Sequence, residues 1–311
     1  MSAHRPQIGP VEVLWPKTGR QSNAPHANTS GASPGPQQLV YSGGIKGRGV
    51  AHHPRLYIVF WGSQWDRTDP YVSYELNFFR GLYGRGDDWT PLLSEYCDHV
   101  ATGSVSCGAK SQRIGRPSKN ALVKGVWFDN SAPAVPTDLP VVRINGLDSV
   151  ANEATKAAAH FGNASAPKNV DAIYLINTPS HFSSLGFGAE YCAYHSSVDA
   201  SYGPVAFADM PYNTDFSIDC GQDAVNPGAA GRYDGVSIVA GHEVIEAITD
   251  LYPTTGWAAA NGDENADKCA WVTTGPGRMS NLHLATGTFA VQGGWSNLAN
   301  NGSGGCRTHA R

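Results

Sequence analysis

Two stretches of this chain are too apolar to form strands at the surface of a sheet. Residues 55–65 include "RLYIVFW" and residues 170–180 include "AIYLIN", and neither run alternates with polar residues. Such runs are typical of central strands whose two faces are both covered. An alanine-rich amphipathic segment at 147–162 predicts a helix before the second strand. A strand, a helix and a buried strand in this order favour a crossover connection and a partly parallel sheet.

The predicted fold class is therefore α/β, with a central mixed, partly parallel sheet flanked by helices. Residues 71–84 carry apolar residues near helical spacing, and residues 121–130 and 203–212 have strand character. The rest of 186–234 is rich in Gly, Tyr, Pro and Asp and has no regular period, so we expect a long loop. Long irregular segments beside a chemical motif are usually functional.

A compositional change near residue 38 predicts the start of the folded domain. Residues 18–38 are rich in Pro, Gly, Ser and Asn and show no apolar period. We therefore predict a disordered lead-in or pro-segment over 1–38 and a single loop-rich catalytic domain over 39–311. The N-terminus lacks the basic-then-apolar layout of a signal peptide.

Charge and hydropathy exclude two classes of partner. The net charge of the 311 residues is -4, only 15% are charged, and no Lys/Arg-rich run occurs, so nucleic acid is not expected to bind. No run of eighteen or more apolar residues is present, so we expect no membrane span. The chain is expected to be a monomer.

Six cysteines indicate an oxidising compartment. None stands in a C-x-x-C pair, and each consecutive pair encloses a segment rich in Gly, Ser, Asn or Asp. We predict consecutive pairing, because each bond would close a loop that has little else to hold it. Buried free thiols are the alternative. With three disulfides the protein would be secreted, either extracellular or in a cell wall.

The segment "VSIVAGHEVIEAITD" (236–250) is close to a metallopeptidase helix, but glutamate replaces the second histidine of His-Glu-x-x-His. Positions i and i+4 lie on one helix face, so His242 and Glu246 can bind the same ion. Glu243 would then hold the attacking water. The apolar residues around the motif favour a zincin-like active-site helix over an acidic surface helix.

A catalytic zinc ion needs a third protein ligand. In thermolysin-like enzymes this ligand comes from a downstream Asn-Glu-x-x-x-Asp pattern, and "NGDENADKCAW" (261–271) lies at a comparable distance. Glu264 would be the third ligand, with Asp267 orienting His242 through its other ring nitrogen. The reverse assignment, with Asp267 on the metal, is equally compatible with the spacing. Zn²⁺ is the expected ion, and an oxygen-rich set also admits Mn²⁺ or Ca²⁺.

Several segments together resemble the exordium or phosphate-induced protein family. They are "VYSGG" with "LYIVFWGSQW", "YCAYH" (191–195), "YDGVSIVAGHEVIEAITD" and "DENADKC". Residues on positions of that family's pattern are His242, Glu243, Glu246, Glu264, Asp267 and Cys269. The resemblance implies an extracellular or cell-wall protein and assigns no reaction.

The expected function is that of a secreted zinc-dependent peptidase that hydrolyses a peptide, protein or cell-wall substrate through a metal-activated water. His195 and Tyr212 are candidates to stabilise the oxyanion, although each is also compatible with an ordinary loop residue. The alternative is a non-catalytic extracellular or cell-wall binding protein with a structural metal site.

Overall fold

The computed structural model describes residues 8–17, 38–131, 149–183 and 186–310. The five helices α1–α5 are Pro70–Gly81, Ser149–His160, Ala166–Asn169, Asp234–Thr249 and Ala299–Gly302. The strands β1–β9 are Glu12–Leu14, Val40–Tyr41, Arg55–Trp61, Cys97–Asp98, Gln112–Arg113, Val123–Asp129, Ala172–Asn177, Ala193–Ala200 and Gly203–Met210. The strands β10–β14 are Trp257–Ala258, Ser280–Leu284, Gly287–Val291, Gly294–Ser296 and Gly305–Arg307.

Six strands form a central mixed sheet in the order β1-β8-β9-β7-β3-β6. The pairs of β3 with β6, β3 with β7 and β7 with β9 are parallel, whereas β8 is antiparallel to both β9 and β1. Every residue of β7 is buried, and α2 and α4 both pack against β7 and β9. The mixed α/β fold predicted from the two apolar runs is confirmed.

Two strands of the central sheet lie where the sequence predicted none. Residues 193–200 form β8, although this part of 186–234 was expected to be a loop. The strand was missed because "AYHSSVDA" carries buried polar residues in place of an apolar alternation. Residues 12–14 form β1 at the edge of the sheet, so this part of the predicted lead-in is ordered, and the pro-segment stays a prediction. Residues 18–37 lie outside the described residues.

Helix α4 carries the His-Glu-x-x-Glu motif and lies inside the molecule. All sixteen of its residues are buried, which agrees with a helix that is apolar around most of its circumference. It packs between the β8–β9 part of the sheet and strand β12 of the β11–β12 hairpin. The helix ends at Thr249, and the Asp250 carboxylate accepts the backbone N–H groups of residues 254, 255 and 256. The motif is therefore held rigidly in the core.

Three disulfides join Cys97 to Cys107, Cys192 to Cys220, and Cys269 to Cys306. The predicted consecutive pairing is confirmed, and no cysteine is free. Disulfides of this number are typical of proteins that fold in oxidising compartments. None of the helices that the structure describes combines the length and apolar character needed to cross a membrane.

A buried glutamate on α1 makes the stability of the fold depend on pH. Burial raises the pKa of Glu75 to about 8, and a neighbouring Asn177 offsets only part of this effect. In the folded chain Glu75 keeps its proton up to about pH 8, whereas in the unfolded chain it releases the proton above the ordinary glutamate pKa. The free energy of unfolding therefore falls as the pH rises toward 8, by at most about 1.4 kcal/mol per pH unit from this group.

We expect Glu75→Gln to be more stabilising at pH 8 than at pH 5, because the amide is neutral at both. Thermal unfolding of the wild type and the variant at the two pH values measures the difference. Glu190→Gln, at an exposed glutamate, serves as the control. An equal effect of Glu75→Gln at both pH values would contradict the assignment.

Candidate metal centre

Three parts of the fold bring two histidines and four carboxylates together. Helix α4 contributes His242, Glu243 and Glu246, and the neighbouring strand β8 contributes His195. The turn that follows β10 contributes the last two groups, Glu264 and Asp267. The side chains of the two histidines and of Glu243, Glu246 and Glu264 are at most 1% exposed, and that of Asp267 is 16% exposed. Every ligand candidate from the motif analysis therefore lies in one cluster.

Glu246 is at the centre of the cluster. Its Oε1 accepts the backbone N–H groups of Ala266 and Asp267 at 3.2 and 2.9 Å, which fixes the carboxylate and ties the turn to α4. Its Oε2 lies 3.0 Å from His242 Nε2 and 3.5 Å from His195 Nδ1. One oxygen thus faces both imidazole rings.

His195 is surrounded by glutamates. Its Nδ1 lies 3.1 Å from Glu243 Oε2, and its Nε2 lies 3.4 Å from Glu264 Oε2. The sequence offered His195 as an oxyanion candidate in a predicted loop, and its place on β8 brings it directly against α4. Glu264 contacts His195, and in the part of the chain that the structure describes it forms no ion pair with His242.

The second ring nitrogen of His242 faces an amide that the sequence did not suggest. His242 Nδ1 lies 3.3 Å from Gln292 Oε1, and Gln292 Nε2 donates to the Ala266 carbonyl at 2.9 Å. The amide oxygen of Gln292 is an acceptor, so His242 Nδ1 must carry a proton to form this hydrogen bond. The other ring nitrogen, Nε2, faces Glu246 and lies 3.4 Å from Asp267 Oδ1. Gln292 therefore lies at the nitrogen of His242 where Asp267 was expected, and Asp267 lies at the other nitrogen, beside Glu246.

Burial and mutual charge shift the protonation of the cluster. Burial alone lowers the pKa of His195 and of His242, but the surrounding carboxylates outweigh it and raise both pKa values well above the ordinary range. Burial and Asp267 raise the pKa of Glu246 to about 7, and burial raises that of Glu264. Several protons are therefore held at neutral pH in the absence of a cation, and a bound metal would displace them.

The donor set fits a divalent ion. Two groups of three donors lie within 4.8 Å of one another: His242 with Glu246 and Asp267, and His195 with Glu243 and Glu246. Ligands about 2 Å from a tetrahedral ion lie roughly 3.3 Å apart, close to the 3.0 and 3.4 Å separations around His242. His242 Nε2, Glu246 Oε2 and both Glu264 oxygens are buried without a hydrogen bond. Buried polar atoms of this kind call for an unseen partner such as a metal ion.

The structure does not bring Tyr212 to this cluster, and its proposed oxyanion role is corrected. The Tyr212 ring stacks on Tyr71, and its hydroxyl donates to Asp69 Oδ2 at 2.9 Å. Tyr212 follows the end of β9 and lines a separate cleft of about 450 Å³ with Trp65 and Arg232. The carboxyl ends of parallel strands form this cleft, which explains why a residue just beyond β9 lies there.

Scans against protein-family models, curated proteins and solved structures return no match to this chain. The resemblance to the exordium family stays a prediction.

We expect zinc to raise the melting temperature of the protein and His242→Ala to remove most of that increase. An ion that binds only the folded chain stabilises it by about 2.7 kcal/mol at a hundredfold excess over Kd. Melting with zinc and with a chelator measures the difference for each variant. His283→Ala, at an exposed histidine on β11, should keep the full increase. Equal increases in both variants would contradict a site at His242.

Proposed function

We propose that the protein is a secreted metal-dependent hydrolase that cleaves peptide bonds. One observation carries this proposal. The donor atoms of His242, Glu246 and Asp267 lie within 4.8 Å of one another, and a second pair of an acid and an imidazole, Glu243 and His195, lies beside them. A site that only binds an ion has no need of the second pair. Hydrolysis needs both a site for the ion and a group that accepts the proton of water.

The roles follow from position. His242, Glu246 and Asp267 would hold the ion, and Gln292 would keep His242 in the binding tautomer. A bound Zn²⁺ would supply Lewis acidity that polarises a water molecule and the scissile carbonyl. Two carboxylate ligands neutralise the charge of a divalent ion on paper, so the water would be harder to ionise than beside two imidazoles. Zn²⁺ is the proposed ion, with Mn²⁺ or Ca²⁺ admitted by the oxygen-rich set.

Glu243 is the proposed general base. It follows His242 on α4 and lies outside the His242 donor group. Its contact with His195 gives the base a partner that can carry positive charge, since the surrounding carboxylates raise the pKa of that histidine. A protonated His195 would donate a hydrogen bond to the negative charge that develops during attack. This keeps the oxyanion role predicted for His195.

A peptide substrate is favoured by the surroundings of the cluster. Strand β8 carries His195, and the side of β8 away from β9 pairs with an extended segment, the three-residue strand β1. Extended peptides commonly bind by adding a strand to a sheet edge. The three disulfides and the exordium resemblance support an extracellular or cell-wall location for the substrate.

A structural metal in an extracellular binding protein is the second candidate. The near-complete burial of the cluster favours it, because a catalytic centre must admit substrate.

Replacing the base distinguishes the two functions. We expect Glu243→Gln to lower peptide hydrolysis about 10²–10⁴-fold, because general base catalysis contributes that much. Zinc content by elemental analysis should stay near that of the wild type. Glu190→Gln, at an exposed position, controls for loss of one carboxylate. Loss of zinc together with the fold in Glu243→Gln, and no hydrolysis by the wild type, would favour the structural role.

A further inference from the structure

The chain's own N-terminal segment lies beside the cluster and packs against β8 and α4. Residues 8–17 run along the side of β8 that faces away from β9. Within β1 the pairing is antiparallel, with Glu12 opposite His195, residue 13 opposite residue 194, and Leu14 opposite Ala193. An isolated bridge between Ile8 and Val198 extends the antiparallel pairing beyond the strand. The segment thus occupies the sheet edge that the proposed substrate would need.

The register places a side chain of this segment toward the cluster. Residues directly opposite each other on antiparallel strands project to the same face of the sheet. His195 projects toward α4, so its partner Glu12 projects to that side too, and β1 also packs against α4. Burial raises the pKa of the Glu12 carboxyl to about 8, and the nearby charges of His195, Asp267 and Glu246 also shift this pKa, which agrees with this placement.

The segment is held mainly by backbone hydrogen bonds. Gly9 N donates to Ser197 O at 2.6 Å, Cys192 N donates to Leu14 O at 2.7 Å, and Lys17 N donates to Asp219 O at 2.8 Å. Trp271 Nε1 donates to the Trp15 carbonyl at 2.8 Å. Backbone pairing of this kind accepts many sequences, which is how a protein binds a range of extended peptides. Leu14 alone adds a fully buried side chain within β1.

We propose that residues 8–17 are an intramolecular occupant of the substrate edge of β8, and that an extended peptide binds antiparallel to β8 when this segment leaves. The peptide bond to be cleaved would then lie opposite His195, where Glu12 stands now. This inference rests on the proposed peptidase function. It names the substrate as an extended polypeptide and accounts for the buried cluster, because access requires displacement of a short edge strand and leaves the core intact.

The test releases the segment after folding. A recognition sequence for a site-specific protease is inserted between residues 18 and 37, the folded protein is cut, and the N-terminal fragment is separated by gel filtration. A second protein lacking only residues 1–7 keeps β1 and is the matched control. Three quantities are measured: amide hydrogen exchange of β8, zinc removal by a chelator, and hydrolysis of an unstructured protein substrate.

We expect the cut protein to exchange the β8 amides and to lose zinc at least about tenfold faster than the control, since an edge strand opens locally without global unfolding. A synthetic peptide of residues 8–17 should bind the cut protein and restore the slow rates, and a scrambled peptide should not. Hydrolysis should appear only after the cut and should be inhibited by the same peptide.

The outcomes separate this inference from the peptidase proposal. Faster exchange and peptide binding without hydrolysis would support the occupied edge and count against the peptidase. Equal hydrolysis before and after the cut would support the peptidase and overturn the inhibitory role of residues 8–17. A cut protein that releases the fragment, keeps its slow exchange and does not bind the peptide would overturn the inference. A fragment that stays bound after cutting is tested with Gly9→Pro, which removes the backbone donor to the Ser197 carbonyl.

Discussion

The structure depends on how it accommodates several acidic groups in its interior. Glu243, Glu246 and Glu264 lie with two histidines almost fully out of solvent, and none of them forms an ion pair with a lysine or arginine in the part of the chain that the structure describes. Buried charge is costly unless it is paired, protonated or bound to a metal. A divalent ion would remove this cost, because it replaces the retained protons and supplies ligand bonds.

The rest of the fold holds these groups at fixed positions. Helix α4 is buried along its whole length, so the spacing of His242 and Glu246 is set by a rigid element. The turn that carries Asp267 is fixed twice, by its backbone N–H bonds to Glu246 and by the disulfide from Cys269 to Cys306. The disulfide from Cys192 to Cys220 lies at the residue just before β8 and so restrains the approach to His195. Precise placement of this kind is what a metal centre requires.

The sequence predicted those features that depend only on short stretches of the chain. The apolar runs of β3 and β7 predicted buried strands, and the i, i+4 spacing placed His242 and Glu246 on one helix face. The roles that depend on tertiary packing were not accessible: Gln292 is 50 residues from His242 and belongs to no motif. The strand around His195 lacks an apolar alternation because His195 faces the cluster and the Ser196 hydroxyl donates to the Pro10 carbonyl. The position of Glu12 could not be inferred, since the pairing of an edge strand leaves almost no local signal in three residues.

The most direct test of the metal centre is a crystal structure of the protein with zinc, with anomalous diffraction recorded on both sides of the zinc absorption edge. We predict one strong anomalous peak about 2 Å from His242 Nε2, Glu246 Oε2 and Asp267 Oδ1. A peak among His195, Glu243 and Glu246 would keep a metal centre but exchange the roles of base and ligand. No peak in the cluster, at a zinc concentration that saturates binding in solution, would contradict the account.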